Sequence, residues 1–314
     1  MKYTSLSDTI LDAIGDTPLV KIDGIYAKLE FLNPSGSIKA RIAKYMIEKA
    51  EADGLLHPGD TIVEATSGNT GNALSMVAAV KGYRMLVVMP AGLSSERVAI
   101  SRAYGAEILL VGQFHVNEAL AKAKELGQQP GYFCPSQFES EWNVEENREI
   151  LGPEILAQLP PGCTPDALVM GVGTGGTLAG VGQAFRAVNP KVRLFAMEPA
   201  ESCTLLCGEI AQHQIEGISD GFVPGIFARN RELVDSVLTV SSPEAIEGMK
   251  YLAQHYGLFC GPSSGAHLVA AKRVRASYPE LETVVTLFCD EGEKYLQDYF
   301  MPEQSVPVSA KHFT

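Results

Sequence analysis

The chain has 314 residues, which allows one large domain or two ordinary ones with a sizeable core. Its net charge of -12 argues against nucleic acid and anionic membranes as partners. The N-terminus lacks the apolar core of a signal peptide, and no uncharged apolar run approaches the roughly 18 residues that span a bilayer.

Short apolar runs alternate with helical stretches along most of the chain. The predicted strands are rich in valine, isoleucine and leucine and cover residues 60–66, 84–90, 106–112, 166–173, 192–199 and 283–292. The predicted helices cover residues 38–51, 68–82, 94–105, 116–127, 177–190, 243–257 and 263–279. Repeated strand–helix units with uniformly apolar strands indicate parallel sheets covered by helices on both faces. A polar, irregular segment at 134–149 splits them into two runs, so we expect two α/β domains with a cleft between them.

The stretch NPSGSIKAR, residues 33–41, places a lysine at the start of a helix. Its first four residues form a turn cluster, and Ser37 is predicted as the helix N-cap. The macrodipole makes that end of the helix positive, which disfavours an ammonium group there. Lys39 is therefore either an indifferent lysine or an amine that is not an ammonium in the working protein.

Two further strand-to-helix junctions are rich in hydrogen-bond donors. In EATSGNTGNA, residues 64–73, neutral side chains stand beside free backbone N–H groups, which suits a carboxylate ligand as well as an ordinary capped junction. In CGPSSGAHLVAA, residues 260–271, Ser263 lies where a strand end turns into a helix and is by itself only an N-cap candidate.

The run GVGTGGTLAG, residues 171–180, follows a predicted strand and opens a helix. Its glycine-rich backbone N–H groups can hold a phosphate at the helix N-terminus. Gly171, Gly173 and Gly176 also satisfy the pattern G-x-G-x-x-G, and Glu198 stands about 20 residues on, where a dinucleotide site has its ribose carboxylate. A nicotinamide-dependent dehydrogenase and a tight turn without a ligand both stay open at this point.

The six cysteines form no Cys-x-x-Cys pair, and no histidine or cysteine pair stands at metal-ligand spacing elsewhere. Cys203 and Cys207 are four residues apart and could share one helix face. We expect buried, reduced thiols in a cytoplasmic protein and no bound metal.

Taken together, the motifs resemble the fold-type II pyridoxal-phosphate enzymes, specifically the cysteine synthase and cystathionine β-synthase group. The likeness runs nearly end to end, because IGDTPLV, NPSGSIKAR, TSGNTG, GTGGT and GPSSGA stand in the order of that group's motifs. It implies two three-layer α/β domains with the active site in the interdomain cleft. The large domain would comprise residues 1–40 and 146–314, and the small mobile domain residues 41–145.

The resemblance also implies roles for particular residues. Lys39 would form a Schiff base with pyridoxal 5′-phosphate, Asn69 would contact the 3′-oxygen of its ring, and Ser263 would contact the ring nitrogen. The cofactor phosphate is assigned to Gly173, Thr174, Gly175, Gly176 and Thr177. The substrate side of the site is assigned to Thr66, Ser67, Gly68, Thr70, Gln137, Gly217 and Asp220, with the amino-acid carboxylate held chiefly by Thr66, Ser67, Thr70 and Gln137.

The implied reaction is β-replacement on an activated L-serine, either O-acetylserine or O-phosphoserine. It would pass through an aminoacrylate, and sulfide would add to give L-cysteine. The neutral hydroxyl of Ser263 keeps the ring a weaker electron sink than a carboxylate would, which fits β-elimination better than transamination. A homodimer, a cytoplasmic location and a serine acetyltransferase tail as a candidate partner are further implications of the resemblance.

Several positions depart from the group's usual pattern. Ala40 stands where an acidic residue is common, ESEW at 139–142 replaces an Asn-Pro-Ala neighbourhood, and Ser219 and Asp220 replace smaller residues. The alternatives therefore include a thiol or amine nucleophile, as in a cystathionine β-synthase-like enzyme, and a serine or threonine dehydratase. A non-catalytic paralogue that binds a partner's tail is a further alternative, against which the presence of Lys39, Asn69 and Ser263 speaks.

Overall fold

The computed structural model describes residues 6–91, 95–113 and 116–301. Its strands are β1 (Leu19–Ile22), β2 (Ile25–Leu29), β3 (Thr61–Ala65), β4 (Arg84–Ala91), β5 (Glu107–Gln113), β6 (Tyr132–Phe133), β7 (Ala167–Gly171), β8 (Arg193–Pro199), β9 (Ser236–Val240) and β10 (Val284–Phe288). Its α-helices are α1 (Lys39–Ala52), α2 (Asn69–Lys81), α3 (Ser95–Ala103), α4 (Val116–Gly127), α5 (Glu141–Glu146), α6 (Gly152–Gln158), α7 (Gly176–Val188), α8 (Gly225–Arg229), α9 (Ser242–Tyr256), α10 (Pro262–Ser277) and α11 (Leu296–Tyr299). In these ranges, no helix combines the length and apolar character that crossing a membrane requires.

The strands form two separate sheets. The larger has the order β1-β2-β10-β7-β8-β9, and the smaller has the order β5-β4-β3-β6. Every neighbouring pair is parallel except β1 and β2, which the sequence analysis did not predict as strands. Asp23 and Gly24 join these two strands with positive φ at both positions, and a two-residue turn permits only an antiparallel hairpin.

Both faces of each sheet are covered, as the predicted α/β fold requires. On β7, Leu168 and Met170 face a core shared with α7, whereas Ala167 and Val169 face a core shared with α10. On the smaller sheet, Ile62 packs with α1 and α2, and the next residue, Val63, packs with α4. Because successive side chains of a strand point to opposite faces, an unbroken apolar strand serves two helical layers. The expectation of two three-layer α/β domains is confirmed.

A buried cluster of charges anchors α1, the helix that begins at Lys39. Arg41 donates from Nε to Glu30 Oε2 at 2.6 Å and from Nη2 to Glu154 Oε1 at 2.8 Å. Lys28 reaches the same Glu154 oxygen at 2.5 Å. The cluster ties α1 to β2 of the large sheet and to α6, so the first turn of α1 is held firmly while Lys39 points elsewhere.

Candidate active site

A cleft opens where β3 of the smaller sheet and β7 and β10 of the larger sheet end, and the carboxyl ends of parallel strands are where ligands bind. The predicted site residues that line it are Lys39, Thr66, Ser67, Asn69, Thr70, Gln137, Gly173, Thr174, Gly175, Thr177, Gly217, Asp220 and Ser263. Gly68 and Gly176 do not line it but lie in the same two loops. Residues spread over more than 200 positions of the sequence therefore meet at one place.

Lys39 is the first residue of α1 and is partly buried at the cleft. The preceding residue, Ile38, already has helical backbone and makes no side-chain cap. Ser37 is in extended backbone, and its Oγ accepts the Lys39 N–H at 3.3 Å, as the side chain of an N-cap residue does. Among the residues that the structure describes, no side chain forms a hydrogen bond or an ion pair with the Lys39 amine. An unpaired amine that faces a cleft is available to a ligand.

The loop from Gly173 to Thr177 forms a narrow backbone cradle at the start of α7. A Cβ atom on Gly173 would lie 2.5 Å from the backbone oxygen of Gly217. Gly175 is the N-cap with φ +85, and a Cβ there would lie 2.9 Å from the Phe227 side chain. Only glycine fits both positions, and the α7 N-terminus leaves backbone N–H groups at this point. These residues fit a phosphate group.

Asn143 holds the cradle from behind. Its Nδ2 donates to Thr174 Oγ1 at 3.0 Å and to the Gln137 carbonyl oxygen at 2.9 Å. A Cβ on Gly176 would collide with Asn143 Oδ1, which explains glycine at a position that does not line the cleft. Asn143 thus connects the cradle that fits a phosphate group to the segment that carries Gln137.

The loop after β3 presents hydrogen-bond donors that suit a carboxylate ligand. Thr70 Oγ1 donates to Gln137 Oε1 at 2.6 Å, and Gln137 Nε2 donates to the Ala65 carbonyl oxygen at 3.0 Å. Gly68 is the N-cap of α2, and its N–H donates to Thr66 Oγ1 at 2.9 Å. The helix therefore opens at the cleft with free N–H groups beside hydroxyl and amide side chains.

Glu64 lies beneath this loop and was not identified from the sequence. Its Oε1 accepts the Ala65 N–H at 3.0 Å, and its Oε2 accepts the Gln137 N–H at 3.0 Å. Burial raises the pKa of Glu64 to about 7, although these N–H groups act in the opposite direction. Glu64 joins the two segments that carry the hydrogen-bond donors for a carboxylate ligand.

Arg97 brings a guanidinium group to the same loop, where the sequence had suggested only neutral donors. Its Nη1 donates to the Ser67 carbonyl oxygen at 3.1 Å, and its Nη2 pairs with Glu216. Arg97 is only 4% exposed. The sequence signal was weak, because Arg97 follows β4 at a distance and only the fold turns α3 toward the cleft.

Asp220 lies in the cleft near Lys39, whereas the neighbouring Ser219 turns away toward Ser202. Burial raises the pKa of Asp220, and the charge of Lys39 and a hydrogen bond from Ser67 oppose that effect. The sequence analysis singled out both residues, and only Asp220 reaches the cleft.

Ser263 is the second residue of α10 and lines the cleft. Gly261 is the N-cap, so the N-cap candidacy of Ser263 was wrong. One turn further on, His267 Nε2 accepts the Gly171 N–H at 2.7 Å, and its Nδ1 donates to the Leu287 carbonyl oxygen at 2.6 Å. This arrangement requires a neutral imidazole, and burial lowers the pKa of His267 to about 4. His267 therefore ties the end of β7 to β10.

Glu198 decides against a dinucleotide site. Its two oxygens accept the N–H groups of Leu205 at 2.7 Å and Leu206 at 3.0 Å, and its side chain is buried. It does not line the cleft. The carboxylate that a ribose would need is thus used to cap a loop, which removes the observation that favoured a dehydrogenase.

The cysteines differ from expectation at two places. Cys203 and Cys207 form a disulfide, with 5.4 Å between their Cα atoms, so the prediction of reduced thiols was wrong for this pair. They lie in a turn segment after β8 and not on a helix. Cys163 is free but exposed, whereas Cys134, Cys260 and Cys289 are free and at least partly buried.

The chain is similar over most of its length to known proteins of one family. A family model described as pyridoxal-phosphate dependent enzyme matches residues 10–290. A cysteine synthase of Staphylococcus aureus (strain N315) is 44% identical over 298 residues, covering 92% of this chain and 95% of the relative. An O-ureido-L-serine synthase of Streptomyces lavendulae is 40% identical over 302 residues, covering 94% and 92%. The crystal structure of an O-acetylserine dependent cystathionine beta-synthase from Helicobacter pylori has a TM-score of 0.88 at 35% identity, covering 95% of this chain and 100% of that one.

Proposed function

The chain belongs to the family of pyridoxal-phosphate dependent enzymes, and on that premise we propose that it catalyses β-replacement on an activated L-serine. The donor is O-acetylserine or O-phosphoserine, and sulfide is the nucleophile, so that the product is L-cysteine. The observation that carries the proposal is that one cleft brings together an unpaired lysine, a glycine-rich phosphate cradle and a loop whose hydrogen-bond donors suit a carboxylate. The names of the relatives support the reaction class.

The chain's own residues suit the cofactor. The cradle from Gly173 to Thr177 would hold its phosphate, Lys39 its aldehyde carbon, Asn69 its ring oxygen and Ser263 its ring nitrogen. Bound pyridoxal phosphate supplies an electron sink for carbanion chemistry at an amino-acid α-carbon. Because Ser263 offers a hydroxyl and not a carboxylate, it leaves the ring nitrogen uncharged more readily than an acidic residue would.

The substrate would be held by the loop after β3. Its carboxylate would accept hydrogen bonds from the α2 N-terminus and from Thr66, Ser67, Thr70 and Gln137, with the charge of Arg97 behind them. A substrate held there would lie in the same cleft as the Lys39 amine. Lys39 would take the proton from Cα, and after the leaving group has departed and the nucleophile has added at Cβ, it would return the proton to Cα.

A product analysis tests this function. The purified protein, loaded with pyridoxal phosphate, is given O-acetylserine or O-phosphoserine with sulfide, and the products are identified by mass spectrometry. We expect L-cysteine from wild type and none from Lys39→Ala. Pyruvate as the sole product would instead support the serine or threonine dehydratase, and no turnover with any donor would support the non-catalytic paralogue.

Asp220 favours a second candidate, in which an amine- or thiol-bearing molecule replaces sulfide. A carboxylate that shares the cleft with Lys39 can accept a hydrogen bond from an amine, a group that sulfide lacks. Relatives whose names imply different second substrates support such variation. Rates with sulfide, homocysteine and amino-acid amines would be compared between wild type and Asp220→Ala. We expect about a tenfold loss for the amine or thiol relative to sulfide, and an unchanged preference would remove this candidate.

The remaining implications concern assembly. We propose the domain boundaries 1–40 with 146–314 and 41–145, supported by α1 packing on the smaller sheet and by β1 and β2 joining the larger one. A homodimer, a cytoplasmic location and docking of a serine acetyltransferase tail have the resemblance alone as support and stay predictions. Light scattering of the purified protein tests the first of these.

A further inference from the structure

A chain of polar side chains runs from Asn69, at the cleft, to Asp290, Lys294 and Tyr295, to which the proposed reaction assigns no role. Lys294 Nζ donates to Asn69 Oδ1 at 3.0 Å, and Asn69 Nδ2 donates to Asp290 Oδ2 at 2.8 Å. The Tyr295 hydroxyl donates to the same Asp290 oxygen at 2.6 Å. Asp290, Lys294 and Tyr295 are each at most 3% exposed, so solvent does not compete for these bonds.

The chemistry of the two neighbours fixes the orientation of the Asn69 amide. An ammonium group only donates hydrogen bonds and a carboxylate only accepts them. Lys294 therefore requires the amide oxygen on its side, and Asp290 requires the amide nitrogen. Turning the amide over would set oxygen against carboxylate and NH₂ against ammonium, which leaves buried groups unpaired. Asn69 Nδ2 carries a second hydrogen, and Asn69 lines the cleft, so the amide can offer a ligand an N–H donor.

We propose that Lys294 and Asp290 are positioning residues that hold the Asn69 amide as a hydrogen-bond donor to the anionic ring oxygen of the cofactor, an inference that rests on the proposed function. An amide in the opposite orientation would present its oxygen to that oxygen and repel it. Neither residue needs to touch the cofactor for this effect.

Lys294 also contacts a second part of the site, and an experiment must separate the effect of that contact from the effect of its bond to Asn69. Its Nζ also donates to the carbonyl oxygens of Ser35 at 2.9 Å and Gly36 at 3.0 Å, in the turn before Lys39. Loss of Lys294 could therefore weaken cofactor binding through this turn alone. The two routes differ in one respect, because only the proposed one passes through Asn69.

A double-mutant cycle separates the two routes. Wild type, Asn69→Ala, Lys294→Met and the double variant are titrated with pyridoxal phosphate. The dissociation constant is measured, together with the ratio of the visible to the near-ultraviolet absorption band, which reports ionisation of the ring oxygen. We expect Lys294→Met to weaken binding about tenfold and to lower the ratio. The double variant should match Asn69→Ala in both readouts, because Lys294 acts through the amide.

A matched control removes a nearby charge without touching Asn69. Glu291 lies 3.5 Å from Lys294 Nζ and is partly exposed, so Glu291→Gln should keep the wild-type affinity and ratio. Asp290→Asn should lower the ratio, because an amide at position 290 no longer dictates which atom of Asn69 faces it. If Lys294→Met fails to give the wild-type circular dichroism spectrum, Asp290→Asn takes its place in the cycle.

Two results would overturn the inference. One is a folded Lys294→Met or Asp290→Asn protein with wild-type affinity and band ratio. The other is additivity in the double variant, which would assign the effect to the turn before Lys39. Failure of the proposed function has a different signature: wild type treated with pyridoxal phosphate and borohydride would then show no added mass on Lys39.

Discussion

His267 offers the sharpest test of how the fold holds the candidate site. It is fully buried, and its two ring nitrogens bind the Gly171 N–H and the Leu287 carbonyl oxygen, which only a neutral imidazole can do. The lowering of its pKa from 6.5 to about 4 corresponds to about 3 kcal/mol of unfolding free energy. Because the unfolded chain takes up this proton first, that contribution is complete above the unfolded pKa of 6.5 and is lost as the pH falls toward 4.

The measurement is urea unfolding of wild type and His267→Gln at several values between pH 7 and pH 4. Glutamine can donate and accept hydrogen bonds but does not titrate in this range. The wild type should be the more stable protein at pH 7, and its advantage should shrink by about 3 kcal/mol over the window. His57 is mostly exposed, so His57→Gln serves as a matched control whose curve should run parallel to that of wild type. Parallel curves for His267→Gln and wild type would refute the reasoning.

Three further predictions follow from contacts in the described residues. Gly173→Ala places a Cβ 2.5 Å from the Gly217 backbone oxygen and should weaken pyridoxal-phosphate binding more than tenfold in a fluorescence titration, whereas unchanged binding would contradict the cradle. Because Cys203 and Cys207 are paired, a thiol assay on the unreduced, unfolded chain should count four free thiols, and six only after reduction. Arg41→Met leaves buried carboxylates unpaired and should cost about 3–5 kcal/mol in urea unfolding, and a loss below 1 kcal/mol would show that the cluster is dispensable.

Local patterns in the sequence were enough to find most elements that build the site. The alternation of uniformly apolar strands with helices predicted α/β layers, and the strands at β3, β7 and β10 lie where the pattern placed them. The short motifs around Asn69 and Gly173 also identified the loops at the ends of β3 and β7, and those around Lys39 and Ser263 identified two further helix starts at the cleft. Glycine-rich and donor-rich junctions are visible without a structure, because the backbone conformation that they require is local.

What escaped the sequence analysis depends on contacts between distant segments. The β1–β2 hairpin was not predicted because it belongs to no strand–helix unit, although its Asp-Gly turn is a local signal. Arg97 and Asp290 carry no motif that marks them, and they reach the cleft only because α3 and the end of β10 are folded against it. The pairing of Cys203 with Cys207 likewise depends on a turn and not on the helix that their spacing suggested.

The amino-acid sequence thus determined the layers, the loops and the family to which the chain belongs. The tertiary structure alone decided which charged groups stand behind those loops. Arg97 lies behind the hydrogen-bond donors for a carboxylate, and the Lys294–Asp290 pair lies behind Asn69. The physical reason is that backbone conformation follows from neighbouring residues, whereas the field and the hydrogen bonds at a side chain depend on groups far away in the chain. The positioning role proposed for Lys294 and Asp290 rests on that second kind of information.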